Sequence, residues 1–133
     1  MEQVQISACW TGEALKYIGT DTKGNKLPMG GEDFSPSQLL LLGLAGCMGM
    51  DVVSILQKKR QNITSVEVQV IGHKPEEYPK PYKLAEIAFT IKGDNVDPKA
   101  VSRAIDLSME KYCVVGQTLQ NQVEIKPSFT IVE

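Results

Sequence analysis

Several things are scarce in this chain. Aromatic residues number three Phe, one Trp and four Tyr among 133. They are scattered, so no base-stacking platform is offered. Basic charge is not in surplus either: 14 Lys and Arg face 16 Asp and Glu, for a net charge of -2. Nothing is left over to neutralise phosphates, and nucleic acid is not an expected partner. Histidine occurs once, as His73, and cysteine three times, as Cys9, Cys47 and Cys113. No two cysteines stand at a C-x-x-C spacing. A structural zinc site uses about four Cys or His ligands, and these four residues are widely scattered, so no metal or other cofactor is expected. The odd cysteine count, and an N-terminus without a basic segment leading into an apolar one, point away from a secreted disulfide framework and towards the cytoplasm. The one long apolar run, Leu39 to Met50, is shorter than the about 18 residues a membrane span needs. Small residues interrupt it and Asp51 follows. A buried core helix is expected there, with no membrane partner.

The length suits one domain, expected to fill residues 1–133. Val4, Ile6, Ala8 and Trp10 alternate along a first strand, and Glu13–Ile18 follows as a second after a Thr11-Gly12 turn. Residues 19–33 are rich in glycine and short polar side chains, which predicts a loop with a short strand near Lys26-Leu27. A helix then begins at a capping box, Ser35 at its N-cap, Pro36 at the first position and Gln38 reaching back. It is predicted to run to about Lys59, with Lys58, Lys59 and Arg60 complementing its dipole. From Leu39 to Met50 it lacks a polar stripe, so burial on nearly every side is expected. Val66, Val68 and Val70 mark another strand. Leu84, Ile87, Phe89 and Ile91 mark a further one, its alternation breaking near Glu86 as a bulge would break it. Asp97-Pro98 caps a second helix, apolar along Val101, Ile105, Met109 and Tyr112 and polar along Lys99, Arg103, Asp106 and Glu110. A last strand is predicted over about Val123–Val132. Strands separated by only two helices indicate an α+β fold with an antiparallel-rich sheet, a buried central helix and a second, amphipathic helix. One sheet and one amphipathic helix cannot cover the central helix on all sides, so a homodimer is expected to supply the missing surface.

Three glycines, Gly43, Gly46 and Gly49, surround Cys47 within the first helix. Each costs roughly 1 kcal/mol against alanine there. Close approach of another backbone explains them, and so does room for a ligand beside the cysteine. A lone buried cysteine is most often a small hydrophobe, and Cys113 reads the same way. Cys9 lies on the polar-side register of the first strand and is assigned no role. His73 is expected at a surface or edge.

The stretch SPSQLLLLGLAGCMGMDVV, residues 35–53, followed by KYCVVGQTL, residues 111–119, resembles the OsmC/Ohr superfamily. There a small-residue stretch of the first helix carries one cysteine, and a Y-C-x-V-G-x-T-L-like segment carries the second. The resemblance covers the whole chain. It implies an intertwined homodimer around two long central helices, and a role in oxidative stress. The best-known members are thiol peroxidases that reduce organic hydroperoxides. By position, Cys47 would be the peroxidatic cysteine and Cys113 the resolving one. A sulfenic acid on Cys47 would condense with Cys113 to a disulfide, which an external dithiol would reduce. The partners implied are a second copy, a small hydroperoxide and that dithiol.

The pattern departs from the peroxidases at two points. They carry a glutamate early in the first helix and an arginine in the N-terminal strands, an ion pair that activates the thiolate. Ser37 holds the glutamate position here, and the first arginine is Arg60. A cation would have to come from Lys16 or Lys26, since Arg103 reads as outward, and Glu32 or Asp33 would have to replace the carboxylate. Asp51, one turn beyond Cys47, would oppose a thiolate. The AGC-MGMD arrangement is closer to the uncharacterised branch of OsmC-like proteins. A second reading therefore stands beside the peroxidase: a non-catalytic dimer whose pocket near Cys47 binds an apolar or thiol-bearing small molecule. A third is a structural dimer with inert core cysteines.

Overall fold

The computed structural model describes residues 1–121 and 124–132. Its elements are β1 (Ile6–Trp10), β2 (Tyr17–Asp21), β3 (Lys26–Met29), α1 (Pro36–Lys58), β4 (Asn62–His73), β5 (Leu84–Asp94), α2 (Pro98–Leu107), a π-helical turn (Ser108–Tyr112) and α3 (Val114–Gln120). The fold is α+β, with its sheet component split in two: antiparallel β1-β2-β3 and an antiparallel β4-β5 pair. The chain divides into two compact units, Met1–Leu42 and Gly43–Glu133, the division falling within α1.

In the first unit, β1 pairs with β2 from Ile6 opposite Asp21 to Trp10 opposite Tyr17. The second strand starts later than the alternation predicts, because residues 13–16 form the connecting turn. That turn is closed by Thr11 N–H donating to the Lys16 carbonyl at 2.9 Å. Val4, Ile6, Trp10, Leu15 and Phe34 are all exposed.

α1 begins as its capping box dictates. Ser35 Oγ accepts from Gln38 N–H at 3.3 Å, and Gln38 Oε1 accepts from Ser35 N–H at 3.0 Å. It ends in a Schellman arrangement. Arg60 N–H donates to the Gln57 carbonyl and Gln61 N–H to the Leu56 carbonyl, both at 3.0 Å, with Arg60 left-handed at φ +59°.

The second unit packs on one stripe of α1. Leu44, Met48, Val52 and Leu56 recur every four residues and are its buried side chains. Val52 and Leu56 form one cluster with Ala100 and Ala104 of α2, flanked by Ile63, Val66, Phe89 and Ile91. Leu44 and Met48 form another with Cys113, flanked by Val70, Ala85, Ile87 and Val115. Burying side chains of this size stabilises the unit by about 1.5–3 kcal/mol each. α1 is long and apolar enough to cross a membrane by length and composition alone; its buried stripe is the core of the second unit.

Burial on nearly every side is not what the single chain shows. Leu40, Leu42 and Met50 are exposed, Met50 by 76%. The glycines of α1 separate the two explanations given above. A Cβ on Gly49 would meet Val68 Cγ2 at 3.2 Å, whereas a Cβ on Gly46 would meet nothing within 4 Å. Close packing on the sheet accounts for Gly49, and Gly46 faces open space.

Two strand details differ from expectation. The irregularity in the β4-β5 register lies between Ile63 and Ser65, not near Glu86. That extra residue returns Ile63 to the same face as Val66, so both reach the core. The break near Glu86 arises because Leu84 points outward, 54% exposed, while Ala85 continues the inner row with Ile87 and Phe89.

The predicted C-terminal strand is not formed. Val123 lies outside the described residues, and residues 124–132 have no regular structure. Ile125, Phe129, Ile131 and Val132 alternate or cluster as a strand would but stay exposed. A strand needs a neighbour to satisfy its backbone, and this segment makes no ladder among the described residues.

The left-handed Arg60 supplies a stability test. A non-glycine residue in this region costs about 1–2 kcal/mol, part of which glycine returns as unfolded-state entropy. Arg60→Gly is therefore expected to raise the unfolding free energy by about 0.5–1 kcal/mol, read by urea denaturation.

Candidate functional site

Cys47 lies in α1 immediately before the buried Met48, and Asp51 immediately before the buried Val52. One residue is a rotation of about 100° on a helix, so both side chains sit at the margin of the core, half-buried. Four residues apart, they share one face of α1.

Cys113 reaches the same place from the other end of the unit. α2 starts as predicted, with Asp97 Oδ1 accepting from Lys99 N–H at 3.0 Å and Pro98 following. It does not continue as one α-helix to Tyr112. At Ser108 it widens into the π-helical turn, whose closing bond runs from Cys113 N–H to the Ser108 carbonyl at 2.8 Å. Such turns re-aim the chain and recur at functional sites. Cys113 leaves the turn extended and caps α3, an element absent from the sequence reading. Its Sγ accepts from Gly116 N–H at 3.2 Å. Gln117 Nε2 donates to the Met109 carbonyl at 2.6 Å and ties α3 back to the turn.

Cys113 is fully buried, and its sulfur, the Cys47 sulfur and a carboxylate oxygen of Asp51 all lie within 4.8 Å of one another. Ser108, also fully buried, donates from Oγ to Asp51 Oδ2 at 2.8 Å and fixes the carboxylate. The structure thus brings together both predicted site cysteines. It sets Asp51 beside both, and adds Ser108, which the sequence reading did not place there. Asp51 was visible at helical spacing from Cys47, while Ser108 could be found only through the π turn. Cys9 is exposed on β1.

Burial, followed by the hydrogen bond and charge shared with Cys47 and the charge of Asp51, pushes the Cys113 thiol up to about 11 from its ordinary 9.0; the Gly116 N–H only partly offsets this. Cys113 is a protonated thiol at neutral pH. The charged groups acting on it are both acidic. The two N-terminal residues considered as a substitute ion pair do form one within the first unit: Lys16 Nζ is 3.5 Å from Asp33 Oδ2. Arg103 is exposed on α2, as expected. His73 is exposed and bonds Glu86 Oε1 through Nε2 at 2.6 Å.

An open cleft of about 470 Å³ adjoins the site on the Asp51 side, bounded also by Ser54, Ile55, Lys58, Leu107 and Tyr112. Neither cysteine lines this cleft.

Two antiparallel sheets and a long central helix, with two thiols from distant segments meeting at its edge, define an α+β protein with a paired-cysteine site. The chain belongs to the OsmC-like protein family, whose profile matches residues 29–128. It is 36% identical to protein YhfA of Escherichia coli over 133 residues, covering 97% of this chain and 98% of that protein. Among solved structures it is similar to a hypothetical protein from Aquifex aeolicus, with 32% identity, a TM-score of 0.82, and coverage of 90% of this chain and 89% of that one. The organic hydroperoxide resistance protein OhrB of Bacillus subtilis shares the fold at 16% identity, with a TM-score of 0.58 and coverage of 94% and 96%.

The Ser108–Asp51 bond can be measured directly. A hydrogen bond to a charged acceptor contributes about 1.5–3 kcal/mol, so Ser108→Ala is expected to lower unfolding stability by that order in denaturant titrations.

Proposed function

We propose that this chain is a thiol-dependent peroxidase that reduces organic hydroperoxides through Cys47 and Cys113, working as a homodimer in the cytoplasm. The observation that carries the reading is the approach of these two sulfurs within 4.8 Å from segments far apart in sequence. Fold kinship with a protein named for organic hydroperoxide resistance supports the substrate class.

The roles follow from burial. Cys47 is half-buried and Cys113 fully buried with a raised pKa, so Cys47 is the sulfur that meets peroxide. Its thiolate attacks the terminal peroxide oxygen. An S–O bond forms, the O–O bond breaks, and the alkoxide leaves as an alcohol after taking a proton. The Cys113 thiol then attacks the Cys47 sulfenic acid, releasing water and forming a disulfide. A dithiol returns both sulfurs to thiols and is itself oxidised to a disulfide.

The homodimer reading rests on surface that the chain leaves open. Gly46, Met50 and Ser54 form an exposed row along α1, and residues 124–132 offer an unpaired, apolar, strand-like segment. A second copy would cover the first and pair with the second. The segment's lack of a strand partner among the described residues supports the intertwined arrangement.

One observation favours the alternative of a non-catalytic dimer binding an apolar or thiol-bearing small molecule. Ser37 replaces the activating glutamate, and the charges acting on Cys113 are acidic.

Two measurements test these readings. Reduced protein is mixed with one equivalent of cumene hydroperoxide or of hydrogen peroxide, and followed by intact mass and thiol count. A Cys47–Cys113 disulfide should form rapidly, faster with the organic peroxide, and not at all in Cys47→Ser. Oxidation no faster than that of a free thiol sinks the peroxidase in favour of the binding protein. Separately, Met50→Glu should convert a sedimenting dimer to monomer at micromolar concentration. Wild-type protein sedimenting as monomer defeats the dimer.

A further inference from the structure

We infer that Cys47, Asp51 and Cys113 form a three-ligand site for a divalent d10 cation of the zinc class. Counting only Cys and His left this chain with scattered ligands. Admitting the carboxylate of Asp51 changes the count, because the structure gathers two sulfurs and an oxygen within 4.8 Å of one another.

The arrangement has the features such ions need. Two ligands four apart on one helical face, with a third from another segment, is how zinc is held by helical H-E-x-x-H sites. Tetrahedral coordination at Zn–S of about 2.3 Å and Zn–O of about 2.0–2.2 Å places ligand atoms about 3.5–3.8 Å apart. The present separations, all within 4.8 Å, exceed this by at most about an ångström. Two thiolates and a carboxylate suit a borderline-soft cation rather than magnesium or calcium.

The outer contacts are built as well. Ser108, fully buried, donates to one oxygen of Asp51, and the Gly116 N–H donates to the Cys113 sulfur. Bonds of this kind orient ligands and raise affinity. Three protein ligands leave a fourth position for water or a small ligand, and an open cleft adjoins Asp51.

This inference does not rest on the peroxidase reading, although the two states exclude one another because both use the same sulfurs. The test uses full-length reduced protein in a Cys9→Ser background, so that only the two site thiols remain. Zinc uptake is measured by competition with a chromophoric chelator, and cadmium binding by thiolate charge-transfer absorption. The expected result is one ion per chain, affinity lower by tenfold or more in Asp51→Asn, and loss in Cys47→Ser, with circular dichroism showing each variant folded. No uptake by the parent protein overturns the site, as does binding undiminished in Cys47→Ser. Undiminished affinity in Asp51→Asn overturns the three-ligand assignment. Metal uptake is read without peroxide and peroxide reduction without metal, so either can fail alone.

Discussion

The site depends on one constraint, the burial of Leu44, Met48, Val52 and Leu56 against β4, β5 and α2. That stripe fixes the rotation of α1. Once it is fixed, Cys47 and Asp51 have no choice but the core margin, one step round the helix from Met48 and Val52. A rotation of about 100° either way would sink the cysteine among apolar side chains or turn it fully to solvent. Gly49 permits the required approach, since any larger residue would press on Val68.

The second constraint is the widening of the helix at Ser108. An uninterrupted α-helix through Tyr112 would carry Cys113 onward along its axis. The π turn places one extra residue in the loop of hydrogen bonding. It releases Cys113 into an extended conformation and lets that residue both cap α3 and bury its sulfur beside Cys47. The same turn buries Ser108 where its hydroxyl meets Asp51. Backbone irregularity and side-chain constellation are thus one feature. The Arg60 and Ser108 substitutions probe the two ends of this frame, the stop of α1 and the turn.

Much of this was legible in the amino-acid order. Ser35, Pro36 and Gln38 announce the start of α1, and Asp97-Pro98 the start of α2, because capping is local chemistry. The two motifs around Cys47 and Cys113 identify the family and single out the two cysteines that the fold brings together. What stayed hidden was non-local. The π turn and α3 depend on packing of Cys113 and on Gln117 reaching the Met109 carbonyl. The Ile63 irregularity depends on which β4 residues the core demands. The outward Leu84 and inward Ala85 invert what hydrophobicity alone suggests. Strand periodicity at residues 125–132 describes a capacity for pairing, and capacity becomes structure only when an edge is present to receive it.

Electrostatics gives the site its distinctive character. Where the peroxidases of the superfamily are expected to set an arginine against the reactive sulfur, the groups bearing on Cys113 here are another thiol and a carboxylate. Burial and these two neighbours hold the proton on Cys113. Two ways exist to relieve that crowding: join the sulfurs in a covalent bond, or replace protons with a cation that all three groups can share. The disulfide leaves Asp51 and its Ser108 partner without a part in the chemistry. The cation employs every polar group the structure has gathered, including the two donors that steady its ligands. The residue that distinguishes these outcomes is therefore not a cysteine but Asp51, which the disulfide does not use and the cation site inferred above does.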